Sequence, residues 1–240
     1  MTPSVTLYTH TLCPYAHRVS LALAEKGLRP REFEKHVDLS NKPAELFRVN
    51  PRGLVPALVM SDGQVITESL RIITAVDDAF DRGSLTSAVG PREEILEFVE
   101  EADAYGGFIS SGLAFIGGGW SLRREKPRAS VRDALERNVA SLDALLRSSR
   151  GDFLFGKSPS LADLAIYPFA ERFALACREF QQYDLGEAQG AGAFVVWLEA
   201  MASRDSAKAL RPSDEKLLEA WRRTGRLDYF DYETADRENP

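Results

Sequence analysis

The sequence predicts an α/β domain followed by an all-α domain. Two observations carry that expectation. Strand and helix signals alternate over residues 1–80, and every long segment in residues 92–224 repeats with helical period. Residues 81–91, from Asp81-Arg82-Gly83-Ser84 to Gly90-Pro91, are short, polar and aperiodic, which makes them the linker. Residues 225–240 form an acidic, aromatic tail, with Asp228, Asp231, Glu233, Asp236 and Glu238 around Tyr229, Phe230 and Tyr232.

The first domain has the order β-α-β-α-β-β-α. Val5 and Leu7 open a strand. Tyr15 to Lys26 is a helix, with Val19, Leu21, Leu23 and Ala24 apolar and Gly27 as its stop. Phe33, Val37 and Leu39 alternate with Glu32, Glu34, His36 and Asp38, a second strand. Pro43 to Arg48 makes a short helix, and Asn50-Pro51-Arg52-Gly53 a turn. Leu54 to Val59 and Val65-Ile66, joined through Ser61-Asp62-Gly63-Gln64, form a hairpin. Leu70 to Phe80 is a helix with Ile73, Val76 and Phe80 on one face.

In the second domain Ile95, Val99, Ala102, Tyr105, Ile109, Leu113 and Ile116 trace one helix or a broken pair. Val131, Leu135, Val139, Leu142 and Leu146 trace the next, stopped by Gly151. Leu161 to Phe180 is a third, strongly apolar helix. Phe194, Trp197, Leu198 and Met201 mark a fourth, and Leu217, Leu218 and Trp221 a fifth. Gly117-Gly118-Gly119 has no strand before it and no Gly-Lys-Ser/Thr after it, so it is a hinge or helix break and not a phosphate loop. Trp120 beside it either lines a pocket or packs.

Composition narrows the function. The 240 residues carry a net charge of -6, which argues against a nucleic-acid partner. No apolar run is long enough to span a membrane, and Met1-Thr2-Pro3-Ser4 opens no secretory signal. Two cysteines make no disulfide framework and fit a reducing compartment, the cytoplasm, or an organelle if a transit peptide has been removed. No spaced His/Cys/Asp cluster suggests a metal, so His10 and His36 carry little weight.

Chemistry concentrates at Cys13, which follows a strand and loop and opens the helix beginning Pro14-Tyr15-Ala16. A helix N-terminus presents amide N–H groups and the positive end of the dipole, and both favour a thiolate. Such sites lower a thiol pKa from about 8.5 to roughly 3.5–7.5. The position three after Cys13 is Ala16, so no second thiol resolves a mixed disulfide there and an external thiol must do so. The plainer alternative is an inert, partly buried cysteine. His17, one turn along, is a solvated helix residue, a modulator of Cys13 or a general base, in falling order.

Three further features converge. Pro56 interrupts a strand-like run, so it lies on an edge strand or follows a cis bond; a cis bond would present the Val55 backbone to an extended peptide. Thr67-Glu68-Ser69 precedes a helix, where a hydroxyl and amides suit a carboxylate and Glu68 an ammonium; plain helix capping is the alternative. Lys42, in a polar loop, either pairs with a second carboxylate or is solvated. Together these groups suit an extended peptide with a central thiol, a zwitterion at one end and a carboxylate at the other, which describes glutathione.

On these residues the chain resembles the cytosolic glutathione transferases, over roughly residues 4–222. Cys13-Pro14-Tyr15-Ala16 is similar to the cysteine-type motif of the omega and lambda classes and of the dehydroascorbate reductases. Asn41-Lys42-Pro43, Asn50 to Pro56 and Glu68-Ser69 fit the family's glutathione site. Asp77 to Asp81 with Gly83-Ser84-Leu85, and Ile166 to Phe173 with Tyr183-Asp184, look more lambda than omega. The resemblance implies a thioredoxin-like first domain and glutathione as co-substrate without a metal. It implies Cys13 as the reacting thiol, Val55 pairing with the cysteinyl backbone before a cis Pro56, Glu68 and Ser69 on the γ-glutamyl end, and Lys42 on the glycyl carboxylate. It makes Ser160-Leu161-Ala162-Asp163 a structural helix start, which agrees with a capping-box variant.

The expected activity is glutathione-dependent thiol transfer through a mixed disulfide on Cys13, removing glutathione from small molecules or proteins, with glutathione and a small hydrophobic glutathionylated substrate as the expected partners. The alternatives are dehydroascorbate reduction, a lyase acting on aryl ethers and a non-enzymatic carrier of glutathione conjugates. The second substrate is expected between the domains against the third long helix, with Tyr167 and Arg172 as candidate contacts. Relatives of this kind are monomers or homodimers.

Overall fold

The computed structural model describes residues 5–118, 121–122 and 129–225. Trp120, Gly119 and the acidic tail beyond Gly225 lie outside the described residues. The chain divides into two compact units that part between Arg82 and Gly83.

The first unit is a four-stranded mixed sheet with helices, a thioredoxin-like arrangement. Strands β1 (Thr6–Thr9), β2 (Glu34–His36), β3 (Ala57–Val59) and β4 (Val65–Thr67) lie in the order β2-β1-β3-β4. β1 pairs parallel with β2 and antiparallel with β3, and β3 pairs antiparallel with β4. The helices are α1 (Pro14–Glu25), α2 (Ala44–Val49) and α3 (Ser69–Ala79). Two of the expected strands are shorter than their patterns. β2 spans Glu34–His36 because Pro30 opens a 3-10 turn over Pro30–Glu32 that delays the strand. β3 begins only after Pro56, which has no N–H for a ladder.

α1 packs on α3, and a buried ion pair ties them: Lys26 Nζ is 2.9 Å from Asp77 Oδ1 and donates to the Asp77 carbonyl at 3.0 Å. Taking two charges out of water is costly unless each finds its partner, so this pair fixes how the two helices meet.

The second unit is helical: α4 (Arg92–Glu101), α5 (Phe108–Ile116), α6 (Ala129–Ser148), α7 (Leu161–Gln181), α8 (Gly192–Ser203), α9 (Asp205–Leu210) and α10 (Asp214–Thr224). The first helical pattern is thus a broken pair, divided at Gly106-Gly107, where Gly106 takes φ +84°. Gly117–Gly118 ends α5 but also pairs with Ser121–Leu122 as the short strands β5 and β6, which makes it more than a helix break. The six-residue helix α9 was not anticipated.

α5 packs on α6 and α7. Gly112 makes the α7 contact close, since a Cβ there would meet the Phe173 ring at 2.2 Å. Phe108 lies 5.6 Å from Phe173 and 5.8 Å from Phe194, and Phe194 lies 5.5 Å from Trp197, a tilted aromatic chain through the interior.

Two buried carboxylates stitch this unit. Asp163 closes the capping box of α7 with Ser160, accepting from its N–H at 2.8 Å and its hydroxyl at 2.7 Å. It also accepts from Leu154 N–H at 2.9 Å and Trp197 Nε1 at 2.8 Å. Burial pushes its carboxyl up, and these donors oppose that rise. Asp143 of α6 accepts from the Ala193 and Phe194 amides, at 2.6 and 3.0 Å, capping α8 from a neighbouring helix. Among the described residues no helix is long and apolar enough to cross a membrane.

Candidate active site

Cys13 occupies the N-cap of α1, with extended backbone at φ −74° and ψ 120°. Its N–H donates to the His10 carbonyl at 3.0 Å, and its own carbonyl accepts the first α1 bond, from His17 N–H at 3.0 Å. Pro14 follows at the first helical position, where a missing N–H costs nothing. The amides of Tyr15 and Ala16 therefore precede the first i→i−4 bond, beside the cysteine. Cys13 is 3% exposed and packs in one cluster with Tyr8, Ala16, Val37, Leu46, Val55 and Ala57.

The turn before β3 brings Val55 to the thiol. Asn50 organises it: its amide donates to the Leu54 carbonyl at 3.0 Å, and its Oδ1 accepts from Arg52 N–H at 3.2 Å. Gly53 takes φ +63°, and a Cβ there would meet the Phe47 ring at 2.6 Å. Glycine is required by both conformation and space. The chain then passes through a cis Val55-Pro56 bond. The Cys13 Sγ lies 3.9 Å from the Val55 carbonyl oxygen, to which the thiol donates weakly.

At the other end of β4, Glu68 is the N-cap of α3 with φ +67°. A non-glycine residue in this left-handed region costs on the order of 1–3 kcal/mol and persists only where the surroundings impose it. Its carboxylate meets Arg52 Nη1 at 3.2 Å, with both side chains more than half exposed. Ser69 next to it is buried, and its hydroxyl accepts from Arg18 Nη1 at 2.9 Å.

The candidate residues thus fall into connected pairs. Cys13 meets Val55; Glu68 meets Arg52; Ser69 meets Arg18, which belongs to the same helix as Cys13. Lys42 lies in the segment between β2 and α2, half-buried with its ammonium enclosed.

Arg18 was missed in the sequence. It is 0% exposed and stacks its guanidinium 5.3 Å from the Tyr15 ring centre. Its signal was an arginine amid the apolar residues of an amphipathic helix. His17 needs correction: it is 4% exposed, not solvated, because α1 is buried along its length from Pro14 to Leu23 except at Tyr15.

Tyr167 and Arg172 are 0% and 2% exposed, so as placed neither offers surface to a second substrate. Burial and the nearby Glu171 push the Tyr167 phenol up. Arg172 donates to Glu171 Oε1 at 2.7 Å and to the Pro168 carbonyl at 2.8 Å. Cys177 is 0% exposed near the C-terminal end of α7, and burial pushes its thiol up. Among the described residues no group of three or more His, Cys, Asp or Glu side chains is placed to hold a metal ion.

Comparison with known proteins places the chain in a family. Residues 12–79 match the family model of the glutathione S-transferase N-terminal domain, and residues 92–223 that of the C-terminal domain. The chain is 33% identical to glutathione S-transferase L1 of Arabidopsis thaliana over 200 residues, 81% of this chain and 76% of that protein. It is 28% identical to glutathione S-transferase omega-1 of Mus musculus over 181 residues, 73% of this chain and 70% of that protein. The crystal structure of glutathione transferase Omega 2C from Trametes versicolor superposes with a TM-score of 0.75 at 25% identity, covering 93% of this chain and 99% of that one. Matched in both its halves and accompanied by relatives of the lambda and omega kinds, the chain belongs to the glutathione S-transferase family.

Proposed function

We propose that the protein is a glutathione-dependent thiol transferase that works through a mixed disulfide on Cys13. The observation that carries this reading is the cysteine at the N-cap of α1, with a carbonyl-bearing turn beside it and no second thiol at position 16. The helix N-terminus favours negative charge on the sulfur. The Cys13 thiolate attacks the glutathionyl sulfur of a mixed disulfide, the S–S bond breaks, and the other thiol leaves as its thiolate. A second glutathione thiolate attacks the Cys13–glutathione disulfide, releasing oxidised glutathione and restoring Cys13.

In this reading the Val55 backbone pairs with the cysteinyl unit of glutathione, Glu68 takes its ammonium, Ser69 its γ-glutamyl carboxylate and Lys42 its glycyl carboxylate. Arg18 positions Ser69 from behind. The other half of the mixed disulfide is a small hydrophobic thiol, and the protein works in a reducing compartment such as the cytoplasm. For Tyr167 and Arg172, both buried in α7, the proposed part in second-substrate binding is indirect.

The test is turnover of a glutathionylated small-molecule disulfide with excess glutathione, in wild type and Cys13→Ser. The expected result is turnover that vanishes in the variant. Glutathione binding without turnover in wild type would replace the reading with that of a carrier.

A further inference from the structure

A cavity of about 500 Å³ opens within the helical unit, between α4, α6 and the segment leading into α7. That volume falls in the range of small-molecule sites, about 300–1,000 Å³. Its floor is apolar and aromatic, with Phe98, Phe155 and Leu142 among its lining. Phe98 and Phe155 meet edge to face, ring centres 6.0 Å apart. The rim has one sign of charge: Glu94, Glu97 and Glu101 line it, and the lining includes no lysine, arginine or histidine.

The three glutamates recur at i, i+3 and i+7 of α4, so they share a helix face with Phe98. All three are exposed, and among the described residues none of them makes an ion pair. An apolar hollow alone would accept any hydrophobe. Carboxylates above aromatic rings select a cation, since both the charge and the ring faces attract it. A second copy of the chain, docked isologously on this groove, would set three carboxylates against three.

We propose that this cavity binds a hydrophobic organic cation, a flat or branched apolar body carrying one ammonium-type charge. The body fills the Phe98–Phe155–Leu142 floor, and the charge faces the glutamate rim. None of these residues belongs to the site around Cys13, so occupancy here is independent of thiol transfer.

The probe is berberine, a planar aromatic monocation whose fluorescence reports transfer to an apolar site, with anilinonaphthalene sulfonate as an anion of similar size. Two variants are compared with wild type: Glu94→Gln/Glu97→Gln/Glu101→Gln, and Ser141→Trp, which blocks the mouth from an exposed position lining the groove. Wild type should bind one berberine saturably, more weakly as salt rises. The Kd should increase tenfold or more in the triple variant, and binding should be lost in Ser141→Trp, with thiol-transfer turnover unchanged in both. No berberine binding by wild type would overturn the proposal, as would equal binding by all three proteins or an anion competing at the same site. A wild-type dimer that Ser141→Trp splits would also overturn it, since a second copy would then cover the groove.

Discussion

The two cysteines are buried to a similar degree, Cys13 at 3% and Cys177 at 0% exposure, yet their settings are opposite. Cys13 ends a loop at the start of a helix, beside first-turn amides and a backbone carbonyl. Cys177 is near the C-terminal end of α7, where its carbonyl accepts from Tyr183 N–H at 3.1 Å, and burial, then the Asp184 carboxylate, push its thiol up. If Cys13 is the reacting thiol, as proposed, burial alone does not distinguish a working thiol from an inert one. Backbone position does, because it decides whether oriented dipoles are available to stabilise the charged sulfur.

The largest effect should come from exchanging the two thiols' fates. Cys13→Ser is expected to lower steady-state turnover of the glutathionyl disulfide on the order of 10³-fold or more, the scale of losing a nucleophile. Cys177→Ala should leave turnover within about twofold and act only on stability, through a small cavity in α7. Appreciable turnover in Cys13→Ser would break the comparison.

Next is the frame that holds α7. Asp163→Ala removes the acceptor for Leu154, Ser160 and Trp197 together, leaving buried donors unsatisfied. We expect a loss of about 3 kcal/mol in denaturant unfolding. In the native fraction Cys13 should keep its reactivity, so a large change in the Cys13 rate would mean that the two regions are coupled.

A more moderate effect concerns the reach of the Cys13 helix. Arg18→Met deletes the guanidinium that donates to Ser69 at 2.9 Å, a charged hydrogen bond of about 1.5–3 kcal/mol. The expected outcome in initial-rate kinetics is a KM for glutathione raised roughly tenfold, with kcat changed far less. An equal fall in kcat alone would assign Arg18 to the chemistry at Cys13 instead.

The smallest effect lies under the cysteine. Burial, and then the hydrogen-bonded Glu45 carboxylate, push the Tyr8 phenol up to about 12. The unfolded phenol loses its proton first, near about 10, so this group's contribution to stability falls as pH rises from about 10 through about 12. Tyr8→Phe should cost about 1 kcal/mol at neutral pH and shrink that alkaline slope, as read from unfolding midpoints at several pH values.

Local signals made the two-part fold and the Cys13 motif legible. Pro14 after Cys13, the turn residues Asn50 to Gly53 and the Ser160-to-Asp163 box each state their conformation within a few positions. The contacts that join the site were not legible, because their partners are distant in the chain. Arg18 and Ser69 are 51 residues apart, as are Lys26 and Asp77. Nothing near His17 marks it as buried, since α1 buries nearly all of its surface rather than one stripe. α9 escaped because six residues give too few turns for a period to appear. The groove beside α4 was hidden for a related reason. The helix's buried face, Ile95 and Val99, supplies the periodic signal, while Glu94, Glu97 and Glu101 look like an ordinary solvated face until the fold sets α6 and Phe155 beside them around one groove.

The central claim is that Cys13 alone carries glutathione as a mixed disulfide. Its most direct test is to treat the native protein with oxidised glutathione, quench the free thiols and locate the adduct by peptide mass spectrometry. The account predicts one glutathionyl group per chain, on Cys13, released by added glutathione, with Cys177 unmodified until the protein is unfolded. An adduct on Cys177 in the native protein, or none on Cys13, would contradict it.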